Sequence, residues 1–179
     1  MGLQVSTSTG GTVSQLDRGP GAIEAGTLLH KPIPPRMVEP YLTGRRSIIS
    51  GFVHKVADTP AGRLQDLHRA FGLDYEGSEF SPDLTELYVL RWRAVGTESY
   101  RVPYSPAFGG DWSMKPPFTG SGYTGGPDSG VAEYFTDPIP VPVGAEIHRI
   151  GADRSDFIAR YDGQVWLRPA EGSELCVTG

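Results

Sequence analysis

A single cysteine, Cys176, in 179 residues excludes an intramolecular disulfide and any zinc site built from several thiolates. Nor is there an apolar run long enough to cross a membrane as a helix. The N-terminus lacks a basic stretch followed by an apolar core, so no conventional secretion signal is expected. That absence points to the cytoplasm, or to export without a conventional signal peptide. Met1 to Ser6 fits the short N-myristoylation pattern, a match that chance explains better. Basic blocks are missing too. Lys31, Lys55 and Lys115 are scattered, and the formal net charge is −5, so nucleic acid is not an expected partner. The histidines His30, His54, His68 and His148 form no H-x-H or H-E-x-x-H pair, and neither a metal site nor a prosthetic group is expected.

Glycine and proline are abundant instead, 24 and 16 residues respectively. Both disfavour helix interiors, so turns, strand ends and long loops should dominate. The expected fold class is α+β: one β-rich domain of twisted, mainly antiparallel strands, with one clear short helix and long Gly/Pro-rich loops. Residues 1–26, rich in Gly, Ser and Thr, read as a flexible N-terminal arm, and residues 27–179 as the single domain. Pro32, Pro34, Pro35 and Pro40 predict an extended, polyproline-like path from Lys31 to Pro40.

Strands are expected at Ser47–Val56, where Gly51 marks a bulge or close approach, and at Glu86–Val95. In the second, Tyr88, Leu90, Trp92 and Ala94 alternate onto a core face; Leu87, Val89, Arg91 and Arg93 share the other. Between the two strands, Thr59 as cap, Pro60 at the first helical position and Gly72 as stop predict a helix that buries Leu64, Leu67 and Phe71. His68 on that helix reads as a surface residue. A short strand follows at Ser99–Tyr104. Further strands are expected at Val131–Thr136, Ile139–Val143, Ala145–Ile150, Phe157–Tyr161 and Gln164–Leu167. Asp162-Gly163 signals a two-residue turn pairing Tyr161 with Gln164, with Phe157, Ala159 and Trp166 on one face.

Some patterns carry chemistry. Gly120 to Gly125 spells G-x-G-x-x-G, but prolines precede it and Gly126-Pro127 follows, so the strand and helix of a dinucleotide fold are missing. A glycine-rich loop draped over a ligand is the remaining functional reading. Arg91 and Arg93, at i and i+2, form a candidate clamp for a diphosphate or carboxylate, weighed against a salt-bridged sheet face. Glu133 and Glu146 are candidate carboxylates for a ribose hydroxyl or an oxocarbenium ion, weighed against exposed strand glutamates. Residues 103–130 carry Trp112 and Tyr123 among other aromatics in a loop long enough to wrap a pocket.

The run from Tyr134 through Gly144 (YFTDPIPVPVG) resembles the Y-x-V-x-x-P-L-P-V-x-x-G segment of the tuberculosis necrotizing toxin family of NAD glycohydrolases. That family is similar in fold to the ADP-ribosyltransferase toxins. Its D-R-F-G and R-x-L-P-P segments have no counterpart here. The resemblance implies a mixed α+β fold with NAD as substrate and cleavage of the nicotinamide–ribose bond, by hydrolysis or by transfer to a target. Arg91 and Arg93 would then hold the pyrophosphate, and Trp112 or Tyr123 would cover the nicotinamide. Glu133 or Gln164, the counterpart of a late glutamine in that family, would stabilise the ribose cation. A protein target or inhibitor is the partner this implies. The competing expectations are a non-catalytic module that docks a protein on the aromatic loop, and an enzyme of another phosphorylated or acidic metabolite.

Overall fold

A computed structural model describes residues 20–59, 63–97, 99–104, 120–124 and 131–170. Its framework is one antiparallel sheet of eight strands in the order β4-β5-β2-β1-β3-β6-β7-β8. The strands are β1 (Leu28–Ile33), β2 (Ile48–Lys55), β3 (Leu87–Arg93), β4 (Tyr100–Arg101), β5 (Tyr134–Pro140), β6 (Glu146–Ile150), β7 (Ser155–Tyr161) and β8 (Trp166–Leu167). Two helices are described, α1 (Pro35–Leu42) and α2 (Leu64–Ala70).

The proline-rich segment departs most from expectation. It forms β1 and then α1, not an extended surface path. Pro32 is tolerated in an inner strand because the β1–β2 ladder ends at the His30–His54 pair. Beyond that point β1 has a strand neighbour only on the β3 side, where Pro32 faces Val89. Pro35 occupies the first helical position, where a missing N–H costs nothing. Where β1 and β2 part, the Lys31 ammonium donates to the Phe52 carbonyl (3.1 Å). Gly51 lies beneath it at φ +88°, and the β2–β5 register shifts there, so the expected bulge is present.

Alternation along β3 sorts both faces of the sheet. Leu90, Trp92 and Ala94 enter a large core with Leu29, Val53, Tyr134 and Ile147, closed by Tyr41 of α1. Leu87 and Val89 face the other way and pack under α2 with Leu64, Leu67 and Phe71. The helix starts later than expected, at Leu64 with Arg63 as its cap residue. Thr59 instead bonds back to the Lys55 carbonyl around a single 3-10 turn, Val56–Asp58. Gly72 does stop the helix, at φ +61°. His68 is buried, against the surface position expected of it, with Nε2 3.2 Å from the Phe80 carbonyl.

Part of the expected arm is docked. Ile23 is buried in the main core, and the Tyr134 hydroxyl donates to the Gly21 carbonyl (2.7 Å). The two strands expected at 131–136 and 139–143 merge into β5, whose prolines lie beyond its pairing with β4. The last hairpin has a longer loop than two residues. Tyr161 pairs with Trp166, and the Asp162 carboxylate accepts from the backbone N–H groups of Gln164 and Val165. Only Gly163 takes positive φ, so a turn needing it at Asp162 as well does not form. The slip is two residues, so Trp166 keeps its face and packs on Tyr161. A bulge in β7 turns Phe157 away from the Ala159 face, to pair with His148.

Candidate functional site

The second face of the sheet carries a row of polar side chains through consecutive strands. His54 on β2 pairs with His30 on β1, His30 with Arg91 on β3, Arg91 with Glu146 on β6, and Glu146 with Arg160 on β7. Directly paired residues share a face, with Cβ atoms about 5 Å apart. Continuing the β2–β5 register by one residue beyond the Val53–Tyr134 pair sets Glu133 beside His54. The row borders the apolar patch under α2, whose Phe71 ring lies against His30 (4.7 Å between ring centres) and His54 (5.1 Å).

The row divides at Phe71. On one side the His54 Nδ1–H donates to the Ala132 carbonyl (3.1 Å). His30 Nε2 lies 2.7 Å from the Thr59 hydroxyl. Burial, then the neighbouring His54 and the Arg91 charge, lower His30 to a pKa of about 3. Burial lowers His54 to about 4. These imidazoles are neutral and enclosed. Glu133 is 3% exposed, its Oε2 has no hydrogen-bond partner among the described residues, and burial pushes its carboxyl up to about 7.

On the other side lies Arg91. Its Nε is buried without a hydrogen-bond partner among the described residues, although one strand away Glu146 supplies a carboxylate. Burial works against its charge and Glu146 supports it. Glu146 accepts from His148 Nε2 (2.9 Å) through Oε2, and Arg160 flanks it on the far strand. Arg91, Glu146 and Arg160 thus stand on three adjacent strands with His148 beside Glu146; the two arginine backbones are about two strand spacings, roughly 10 Å, apart, and the Arg160 guanidinium lies over Gly144. Such an arrangement suits a ligand with more than one anionic group.

The six residues singled out in the sequence fare unequally. Arg91 and Glu133 both reach this face and hold the two buried side-chain atoms without partners among the described residues. They lie three strand steps apart, roughly 14 Å along the sheet, on opposite sides of Phe71. Arg93 is exposed at the end of β3 and donates to the Gly26 carbonyl (3.0 Å), so it does not converge on Arg91. Tyr123 is not a cover for a ligand: it is 6% exposed, packs in the main core and bridges Ala132. Gln164 sits exposed in the β7–β8 loop. Five strand steps separate β5 from β7, roughly 24 Å along the sheet, so Glu133 and Gln164 do not share a site. Trp112 lies outside the described residues. The glycine pattern at 120–125 serves packing where it is described, since a Cβ on Gly122 would meet Val102 Cγ1 at 2.6 Å.

Two members of the cluster, Arg160 and His148, were not sequence candidates for it. Their only signal is the β3–β6–β7 pairing, which needs three strands in register. Set against known protein families, curated proteins and solved structures, the chain matches none.

Proposed function

We propose that this protein is an enzyme that binds a nucleotide diphosphate on the Arg91 face of the sheet, with NAD as substrate and the nicotinamide–ribose bond as the bond cleaved. The observation that carries the reading is the buried Arg91 Nε without a partner among the described residues, on a face where a second arginine, Arg160, pairs with Glu146 on the next strand. A buried guanidinium N–H left unpaired is costly unless a ligand anion accepts from it. NAD as the ligand follows from the resemblance of Tyr134 to Gly144 to the necrotizing toxin family. β5 ends within that run, and its Gly144, at φ +84°, turns the chain toward Glu146.

In this reading Arg91 and Arg160 hold the pyrophosphate. Glu146, with its second carboxylate oxygen free of described partners, faces the ribose and stabilises positive charge at C1′ as nicotinamide leaves. Glu133, enclosed beyond Phe71, supports the sheet interior and stays outside the reacting centre.

The test is nicotinamide release from NAD by the purified protein, with Arg91→Ala as control and circular dichroism to verify folding. Release by the wild type and loss of at least 100-fold in the folded variant are expected. No release, together with no thermal shift on adding NAD, would overturn the reading, because a ligand bound only by the native state must raise its melting temperature.

A further inference from the structure

The Glu146–His148 contact fixes more than a salt link. A carboxylate oxygen only accepts, so the His148 nitrogen facing it at 2.9 Å, Nε2, must carry the proton. In the neutral ring the lone pair is then on Nδ1, which makes no hydrogen bond among the described residues. The ring is held from a second side by Phe157, whose centre lies 5.7 Å away in an edge contact. With 14% of its side chain exposed, His148 is neither sealed in like His54 nor freely rotating. Arg91 is on the neighbouring strand, close enough for its charge to oppose protonation of His148, while burial opposes it more strongly and Glu146 favours it. Arg160 completes the charged groups that the adjacent strands bring to this cluster.

We infer that His148 Nδ1 is the proton acceptor of the Arg91 site, taking a proton from the nucleophile that attacks the bound ligand, and that Glu146 is the residue that positions it. The inference rests on the proposed anion site at Arg91. For NAD the step balances with water alone. The water oxygen forms a bond to ribose C1′ while the C1′–nitrogen bond breaks, and its electron pair goes to the nicotinamide ring. The water proton passes to Nδ1 and then to solvent, leaving ADP-ribose, nicotinamide and one proton. A neutral imidazole held in one tautomer beside an anion holder is suited to this transfer.

Nitrogen-15 histidine labelling and long-range nitrogen–proton correlation read the tautomer directly, and inorganic pyrophosphate serves as the probe for the site. His148 is expected as the Nε2–H tautomer at pH 7, its Nδ1 resonance shifting on pyrophosphate addition in the wild type and not in Arg91→Ala. Glu146→Ala should turn it into a tautomer mixture. His148→Gln should lower kcat for nicotinamide release about 100-fold or more with KM within a few-fold. An Nδ1–H tautomer, or pyrophosphate binding that leaves His148 unmoved, would overturn the assignment. If pyrophosphate moves His148 but NAD is not cleaved, NAD cleavage falls and the placement of His148 stands. If NAD is cleaved while His148→Gln keeps full kcat, the assignment falls and NAD cleavage stands. No pyrophosphate binding together with no NAD cleavage removes both.

Discussion

Arg91 and Glu146 face one another across β3 and β6, yet the buried Nε of the arginine is left without a partner among the described residues. Glu146 spends one carboxylate oxygen on His148 instead. A buried donor without an acceptor costs about 1–3 kcal/mol. A purely structural arginine on this strand would be better replaced by an apolar residue that packs on Val89.

At Arg91, stability and function should move in opposite directions. Arg91→Met should raise the unfolding free energy by about 1 kcal/mol, since it removes an unmatched buried polar group and keeps the aliphatic stem. It should at the same time abolish the melting-temperature rise that pyrophosphate gives the wild type. Urea titration reads the first and thermal melts with and without pyrophosphate the second. A variant that loses stability as well would mean that the guanidinium is holding the sheet together.

Glu133 should make the protein less stable as pH rises. Its folded pKa, about 7, lies above the ordinary 4.5, so the native state binds its proton more tightly than the unfolded chain does. The penalty therefore begins as pH climbs past about 4.5 and is complete above about 7. Glu133→Gln keeps the shape and removes the ionisation. It should match the wild type at pH 4 and exceed it by about 3 kcal/mol at pH 8, from about 1.4 kcal/mol per pKa unit. Denaturant midpoints at the two pH values decide it; an equal gain at both would rule out ionisation as the cause.

His30 should act with the opposite slope. Its folded pKa of about 3 lies below the ordinary 6.5, so the unfolded chain takes up the proton first. The penalty begins as pH falls below about 6.5 and grows toward 3. His30→Phe forgoes the Thr59 contact, worth about 1 kcal/mol, and is expected to be slightly less stable than wild type at pH 7. At pH 4.5 the order should reverse by about 2 kcal/mol. Parallel stability curves for the two proteins would show that this imidazole does not titrate on unfolding.

How far the sequence revealed these features depended on how local their causes are. The faces of β3 were legible because alternation between Leu90-Trp92 and Val89-Arg91 is a property of seven consecutive residues. β1 and α1 were hidden by prolines. Pro32 is harmless only because β2 diverges after His54, a tertiary fact. Arg91 stood out from its own strand, but Arg160 and His148 join it only through pairing with β6 and β7. Tyr123 misled because an aromatic in a glycine-rich loop has the same composition whether it covers a ligand or fills a core.

The glycine pattern at 120–125 yields the remaining prediction. Gly122 has φ +80°, a backbone conformation that costs an L residue roughly 1 kcal/mol or more. A Cβ there would also lie 2.6 Å from Val102 Cγ1 and 2.9 Å from Pro20 Cδ. Both neighbours are held: Val102 packs against the main core and Pro20 leads into the docked segment that ends in Ile23. Gly122 further accepts from the Glu133 backbone N–H (2.9 Å), so a shift of this loop is transmitted to the start of β5. Gly122→Ala should therefore destabilise by about 2–4 kcal/mol, the sum of strain and overpacking. Adding Val102→Ala should recover part of the clash and none of the backbone strain, leaving the double variant at least 1 kcal/mol above the stability of Val102→Ala less the full Gly122→Ala loss. Full additivity of the two losses in urea denaturation would show that Val102 does not press on Gly122, and would return this loop to consideration as a ligand cover.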